Sequence, residues 1–274
     1  MSMVNIGLIS KAIRETWFST TAFILAMFTF QVMLAFILPT FQKDLSHVLE
    51  NLKFVQYIIA ALLGTDMAET IGPEALSAMP WVHPVVLTLA WTHAIMFCTR
   101  LPAGEIDRGT ADVLFALPVS RLGLYLNETI ALTGSGLLLV VGGLLGGLLG
   151  ASWSSAEAPI ALSDLVVIAA NLFGLYLAVA GLAWMVSAMA DRRGRAVGVV
   201  FAIVMASFVL NTLATFSESI RRFSAFGLMN YYKPLRVLRE HALPVGDLLI
   251  LLGFAVTCWV IGAIVLARRD IRTV

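Results

Sequence analysis

The densest run of residues that could do chemistry lies at 100–121, where Glu105, Asp107, Arg108, Asp112 and Arg121 are punctuated by Pro102, Gly104, Gly109 and Pro118. Charges in this pattern suit ion pairing and the grip of a partner protein, not the making of bonds. An enzyme buried in a membrane would need paired carboxylates or a Ser/His pair at one depth, and the chain has neither arrangement. It has no Gly-x4-Gly-Lys-Ser/Thr phosphate loop, so it cannot hydrolyse ATP alone. His-Glu-x2-His, Gly-x-Ser-x-Gly and metal-spaced Cys/His clusters are missing too. The four histidines, His47, His83, His93 and His241, are dispersed. Catalytic, cofactor and metal sites are therefore not expected in this chain.

The elements that hold this run are membrane helices. Six stretches, 16–42, 75–99, 129–156, 165–190, 196–217 and 248–267, contain no Asp, Glu, Lys or Arg. A bilayer core of about 30 Å takes about 20 apolar helical residues, and a helix satisfies its own backbone. The composition, 59% hydrophobic and 13% charged, with a mean hydropathy of +0.91, excludes an ordinary soluble domain. The expected fold is an all-α integral membrane protein of one domain over 1–274. Its spans fall near 17–39, 83–101, 124–151, 162–190, 196–216 and 247–267. The inner loop is 102–122 and the outer segments are 40–82 and 217–246. The net charge of +1 gives no reason to expect nucleic acid as a partner; the lipid bilayer is the expected one.

With the amino terminus cytoplasmic, 11 of the 18 basic residues fall inside, as the positive-inside rule requires of short loops. Both termini are then cytoplasmic in this multi-pass protein. Val4, Ile6, Ile9, Ile13 and Trp17 recur at helical spacing and predict an amphipathic helix over 1–16, lying at the membrane surface. A plain extension of the first span is the alternative. Residues 54–64 are too few to span and read as an interfacial or partly buried helix.

In the inner loop, Pro102 and Gly104 end a span, and Glu105 and Asp107 suit the first turn of a new helix. Val113, Leu114, Phe115 and Leu117 give that helix an apolar patch, Pro118 stops it, and Ser120 caps the next. Glu105, Gly109, Thr110, Leu114, Pro118 and Arg121 together resemble the Glu-x3-Gly-Thr-x3-Leu-x3-Pro-x2-Arg signature of the permease subunits of ABC-2 type transporters. The six-span layout, the amphipathic start, the stretch Tyr232-Lys233-Pro234 and the terminal Arg268-Arg269-Asp270-Ile271 accompany it.

The resemblance implies a permease of a bacterial-type inner membrane that pairs with a second copy or a paralogue. It implies two cytoplasmic ABC ATPase subunits, which bind ATP and Mg, and an inner-loop coupling helix against which they bear. Glu105, Ile106, Asp107, Arg108, Gly109, Thr110, Leu114, Pro118 and Arg121 are the coupling residues by that analogy. It also implies that 217–244 re-enters the outer leaflet and packs on spans five and six, as in type V exporters. The expected function is export of a substrate that the sequence does not identify, with the Leu, Val, Phe and Gly content of the spans favouring an amphipathic one. The rival is a mechanotransmitter that works on an outer protein and moves nothing across.

Elsewhere, Gly142, Gly146 and Gly150 form one small-residue row in span three, and Gly143, Gly147 and Ala151 form another, which permits close helix packing. That packing is read as intramolecular ahead of a dimer contact. Gln31, His93, Asn171 and Asn211 are read as interhelical hydrogen bonders ahead of a substrate path, with Glu128 close to the inner end of span three. Asp191–Arg195 is read as a topology determinant ahead of a second ATPase contact.

Overall fold

The structure is a computed structural model that describes residues 4–40, 60, 73–112, 119–154 and 160–270. Every regular element among them is helical. In chain order they are α1 (Ile6–Thr40), α2 (Pro73–Val82), α3 (Pro84–Cys98), α4 (Ala103–Asp107), α5 (Arg121–Trp153), α6 (Leu162–Met189), α7 (Arg193–Phe216), α8 (Glu218–Arg221), α9 (Pro234–Glu240) and α10 (Val245–Arg268). Six segments are long and apolar enough to cross a membrane: α1, the α2–α3 pair from Ser77, α5, α6, α7 and α10. The expected interfacial helix at 54–64 lies outside the described residues.

Local chemistry sets the helix starts. His83 divides α2 from α3; its Nδ1 accepts from the Val85 N–H at 3.2 Å, and Pro84 occupies the first helical position, where no N–H is missed. Ser120 caps α5 by accepting from the Gly123 N–H at 2.9 Å.

The start of the chain differs from expectation. Where a separate surface helix was expected over 1–16, α1 is one unbroken helix of 35 residues. At 1.5 Å per residue it is about 52 Å long, well beyond the bilayer core, so its first turns extend the span as a rod. The physical reason is twofold. No Gly or Pro between residues 8 and 38 can turn the chain. The early turns are also held to the bundle, because the Asn5 N–H donates to Asn127 Oδ1 at 2.7 Å and Leu8 packs on Leu101 and Leu124.

The core centres on α6, the most buried of the six crossings, while α1, α7 and α10 are the least. Two close approaches set this arrangement. Along α5, Gly142 meets Ile24 and Gly143 meets Met27, while Gly146 and Gly150 meet the carbonyls of Phe28 and Val32 on α1. Gly147 instead looks toward Trp81. On the other side, Gly181 of α6 meets the Ala255 backbone and Gly262 of α10 meets the Met185 backbone. The sequence reading had not singled out this second pair. Lipid removes the hydrophobic drive between helices, so packing of this kind carries the association. Gly146→Ala is expected to lower stability in detergent by about 1–3 kcal/mol, since the new methyl would overlap the Phe28 carbonyl. Gly134→Ala on the same helix meets nothing within 4 Å and should be neutral.

The segment after α7 folds back onto the bundle in short pieces: α8, the 3₁₀ turns Ser224–Phe226 and Leu228–Tyr231, and α9. Asn171 of α6 brackets it, donating to the Tyr231 carbonyl at 3.2 Å and accepting from the Lys233 N–H at 3.1 Å. Between these bonds the Tyr232 ring is buried, and its hydroxyl donates to the Trp81 carbonyl at 3.0 Å. The Met229 N–H donates to Ser207 Oγ at 3.2 Å, and Lys233 faces Asp247. The segment thus engages crossings two and four as well as five and six. Leu228, Leu235 and Leu238 are buried, whereas Phe223 and Phe226 stay exposed. Asn171→Leu would leave two backbone groups without partners, at about 1–3 kcal/mol. Amide exchange at Lys233 should then quicken at least about tenfold, with that at Thr110 unchanged.

Candidate functional site

The run at 100–112 forms a tight helical turn. α4 spans Ala103–Asp107, and its end is a double backbone closure: the Gly109 N–H donates to the Ile106 carbonyl and the Thr110 N–H to the Glu105 carbonyl, both at 3.0 Å. This is a Schellman cap, which needs a left-handed residue, and Gly109 has φ +70°. The Glu105 side chain completes the cap by accepting from Thr110 Oγ1 and pairing with Arg108. The spacing Glu-x3-Gly-Thr therefore has a local meaning: the glutamate, glycine and threonine close one turn. Here the structure corrects the sequence reading, in which a single helix ran from Glu105 to Pro118. The turn stops at Gly109 because that residue is left-handed, and helix resumes at Ala111 and Asp112. Leu114, Pro118 and the apolar patch lie outside the described residues.

Around this turn the side chains reach four crossings. The Asp107 carboxylate accepts from the Arg193 N–H, the first of α7, at 3.3 Å, a favourable place for an anion beside a helix dipole. Ser187 of α6 donates to the Leu101 carbonyl at 3.2 Å and accepts from the Ala103 N–H at 3.4 Å. Gly104 lies against the Arg193 side chain. Arg100 pairs with Glu15 of α1 and with Glu128 of α5, and Lys11 adds a second cation to Glu15 at 3.0 Å. The Glu128 side chain is only 2% exposed, so its charge depends on Arg100. Ile106 is half-buried, whereas Asp107, Arg108, Gly109 and Thr110 form an exposed tip. The base of that tip is tied by side chains to α1, α5, α6 and α7.

Over residues 6–266 the sequence matches the family described as "Multidrug efflux system permease Rv1217c, C-terminal domain". The chain belongs to this permease family. No curated protein matches it. The match takes in all six crossings, so the permease is a multi-pass membrane protein.

Arg121 of the permease points elsewhere than the tip. Its guanidinium donates to the Leu266 carbonyl at 3.3 Å and to that of Arg269, at the carboxyl end of α10. Arg269 in turn donates to the Ala188 and Ala190 carbonyls, at 2.8 and 3.0 Å, where α6 ends, and pairs with Asp191. Basic side chains thus satisfy the last carbonyls of neighbouring helices. The sequence reading had not picked out Arg100, Glu15, Ser187 and Arg193 as parts of this assembly. Glu128 had stood out as an acid near the end of a crossing, but its partner lies across the fold. Asn171, read as an interhelical hydrogen bonder, holds the backbone of Tyr231 and Lys233 in the segment after α7. His93 joins helices, with Nδ1 2.9 Å from the Tyr176 hydroxyl and Nε2 3.3 Å from Thr20 Oγ1.

Proposed function

We propose that the chain is the transmembrane subunit of an ATP-binding-cassette exporter of the ABC-2 type. Two permease copies, or one and a paralogue, form the crossing, and two cytoplasmic ATPase subunits bind ATP and Mg and bear on the inner turns. The end carrying Arg100, Arg108, Arg193 and Arg269 faces the cytoplasm, as do both termini, in a bacterial-type inner membrane. The observation that carries this reading is the exposed tip 107–110 on a base tied by side chains to four crossings. Such a turn converts motion of a docked protein into motion of helices, and α4 is the coupling helix in that sense. The efflux permease family supports export over the mechanotransmitter, and its multidrug name supports an amphipathic cargo.

Purification of the permease co-expressed with the ATPase encoded beside it tests the reading. A stable complex with two copies of each subunit, whose ATP turnover rises with an amphipathic drug, is the expected result. Turnover that ignores such compounds but answers an outer protein would favour the mechanotransmitter. Failure to capture any ATPase would overturn the coupling role of the turn.

A further inference from the structure

Between α1, α3 and the turn that leads into α4 lies a cavity of ≈250 Å³. Arg108, Arg193 and Glu15 line it together with the hydroxyl residues Thr16, Ser19 and Thr20 and the rings of Phe23, His93 and Phe97. Arg108, Glu15 and Met96 are exposed, Arg193 and Phe23 are half-buried, and Thr16, Thr20, His93 and Phe97 are buried. The cavity therefore borders exposed basic side chains as well as aromatic rings. Phe23 meets His93 edge-on at 5.6 Å between ring centres, and His93 lies 6.3 Å from Phe97.

The charges on this lining are unequal. Arg100 also borders the cavity but is committed to Glu15 and Glu128, which occupies Glu15 as well. The Arg193 guanidinium is different: it donates to a neutral carbonyl, that of Met96, at 3.1 Å, while Asp107 takes the backbone N–H of Arg193 and not its side chain. Its cation thus borders the cavity without a paired carboxylate among the described residues. Arg108, more than half exposed and holding Glu105 by one arm, has further N–H groups to offer. A planar guanidinium pair suits a phosphate or carboxylate.

We propose that this cavity binds the head of an anionic amphiphile, with its phosphate or carboxylate at Arg193 and Arg108 and the start of its apolar part on Phe23 and Phe97. The volume is below the about 300–1,000 Å³ of drug-sized pockets, so it takes a head and the first part of a tail. As the point where cargo first engages, the site rests on the efflux reading; as a binding site it stands without it. The head can come from a phospholipid of the facing leaflet or from a free amphiphile.

The test uses the full-length permease alone in neutral detergent, with dodecyl phosphate as probe and dodecyltrimethylammonium as its cationic counterpart. Dodecyl phosphate should bind at least about tenfold more tightly than the cation. Arg193→Gln, which removes the positive charge, should weaken it at least about tenfold. Ser19→Phe, which fills the cavity and keeps every arginine, should do the same, while Arg195→Gln, outside the cavity, should change nothing. Equal binding of the cation, or unchanged binding in both cavity variants, overturns the proposal. In lipid nanodiscs, displacement of the probe by phosphatidylglycerol but not phosphatidylcholine assigns the head to a membrane lipid. Persistence of the probe in both assigns it to a free amphiphile. Because no ATPase is present, failure here leaves the exporter reading intact, and failure to capture an ATPase leaves this site intact.

Discussion

Arg100→Met should destabilise the permease by about 3–5 kcal/mol, the usual effect of removing one partner from a buried ion pair. Glu15 would keep Lys11, so most of the loss comes from Glu128, whose carboxylate would be left in the bundle without a cation. Unfolding in mixed micelles, followed by helical signal, would measure it. The double variant Arg100→Met, Glu128→Gln should recover most of the loss, because it removes the stranded charge along with its partner. A full double-mutant cycle then gives the coupling between the two. If the single variant unfolds like the native chain, the network contributes no stability and the turn is held to α1 and α5 by packing alone. Arg100 lies between the end of α3 and the start of α4, and the same network joins both to the longest helix among the described residues.

Gly109→Val should abolish coupled activity, by at least about tenfold, while leaving insertion into the membrane intact. A β-branched residue at φ +70° is strained by about 1–2 kcal/mol or more, and relief of that strain opens the cap that Thr110 and Glu105 close. Gly109→Asn separates backbone from contact, because asparagine tolerates the left-handed region and a Cβ at Gly109 meets nothing within 4 Å. Drug-stimulated ATP turnover of the assembled complex is the readout. Near-native turnover with Asn would show that backbone shape is what the position supplies. Loss as severe as with Val would mean that a partner surface packs directly on the glycine. Loss of expression in both would make the glycine a folding residue and remove it from the coupling argument.

Much of the architecture was legible because bilayer insertion reads a property that accumulates along the chain. A run free of charge over two dozen residues has one low-energy fate, so the six crossings follow from Leu, Val, Ile and Phe content with little help from context. Glycine rows on α5 were legible for a related reason, since a spacing of four puts them on one face whatever fills the groove. The cap at Glu105, Gly109 and Thr110 was half legible: the residue types signal a turn, but the sign of φ at Gly109 decides that helix stops there and does not continue toward Pro118.

Partners across the fold were not legible. Arg100 could have faced solvent, lipid headgroups or any of several acids, and its choice of Glu15 and Glu128 depends on how α1 settles into the groove of α5. Asn171 looked like a link between helices, yet it closes on two backbone groups sixty residues away because α7 and its following turns return over the end of α6. Arg193 reads as one member of a basic loop, and only the fold sets Asp107 and Gly104 of α4 against it. Order along the chain fixes which segments enter the membrane and which end carries the charge. The rotation and contact of helices, decided by the summed packing of all six at once, settles which polar groups meet, and so where a push, a hinge or an anion could act.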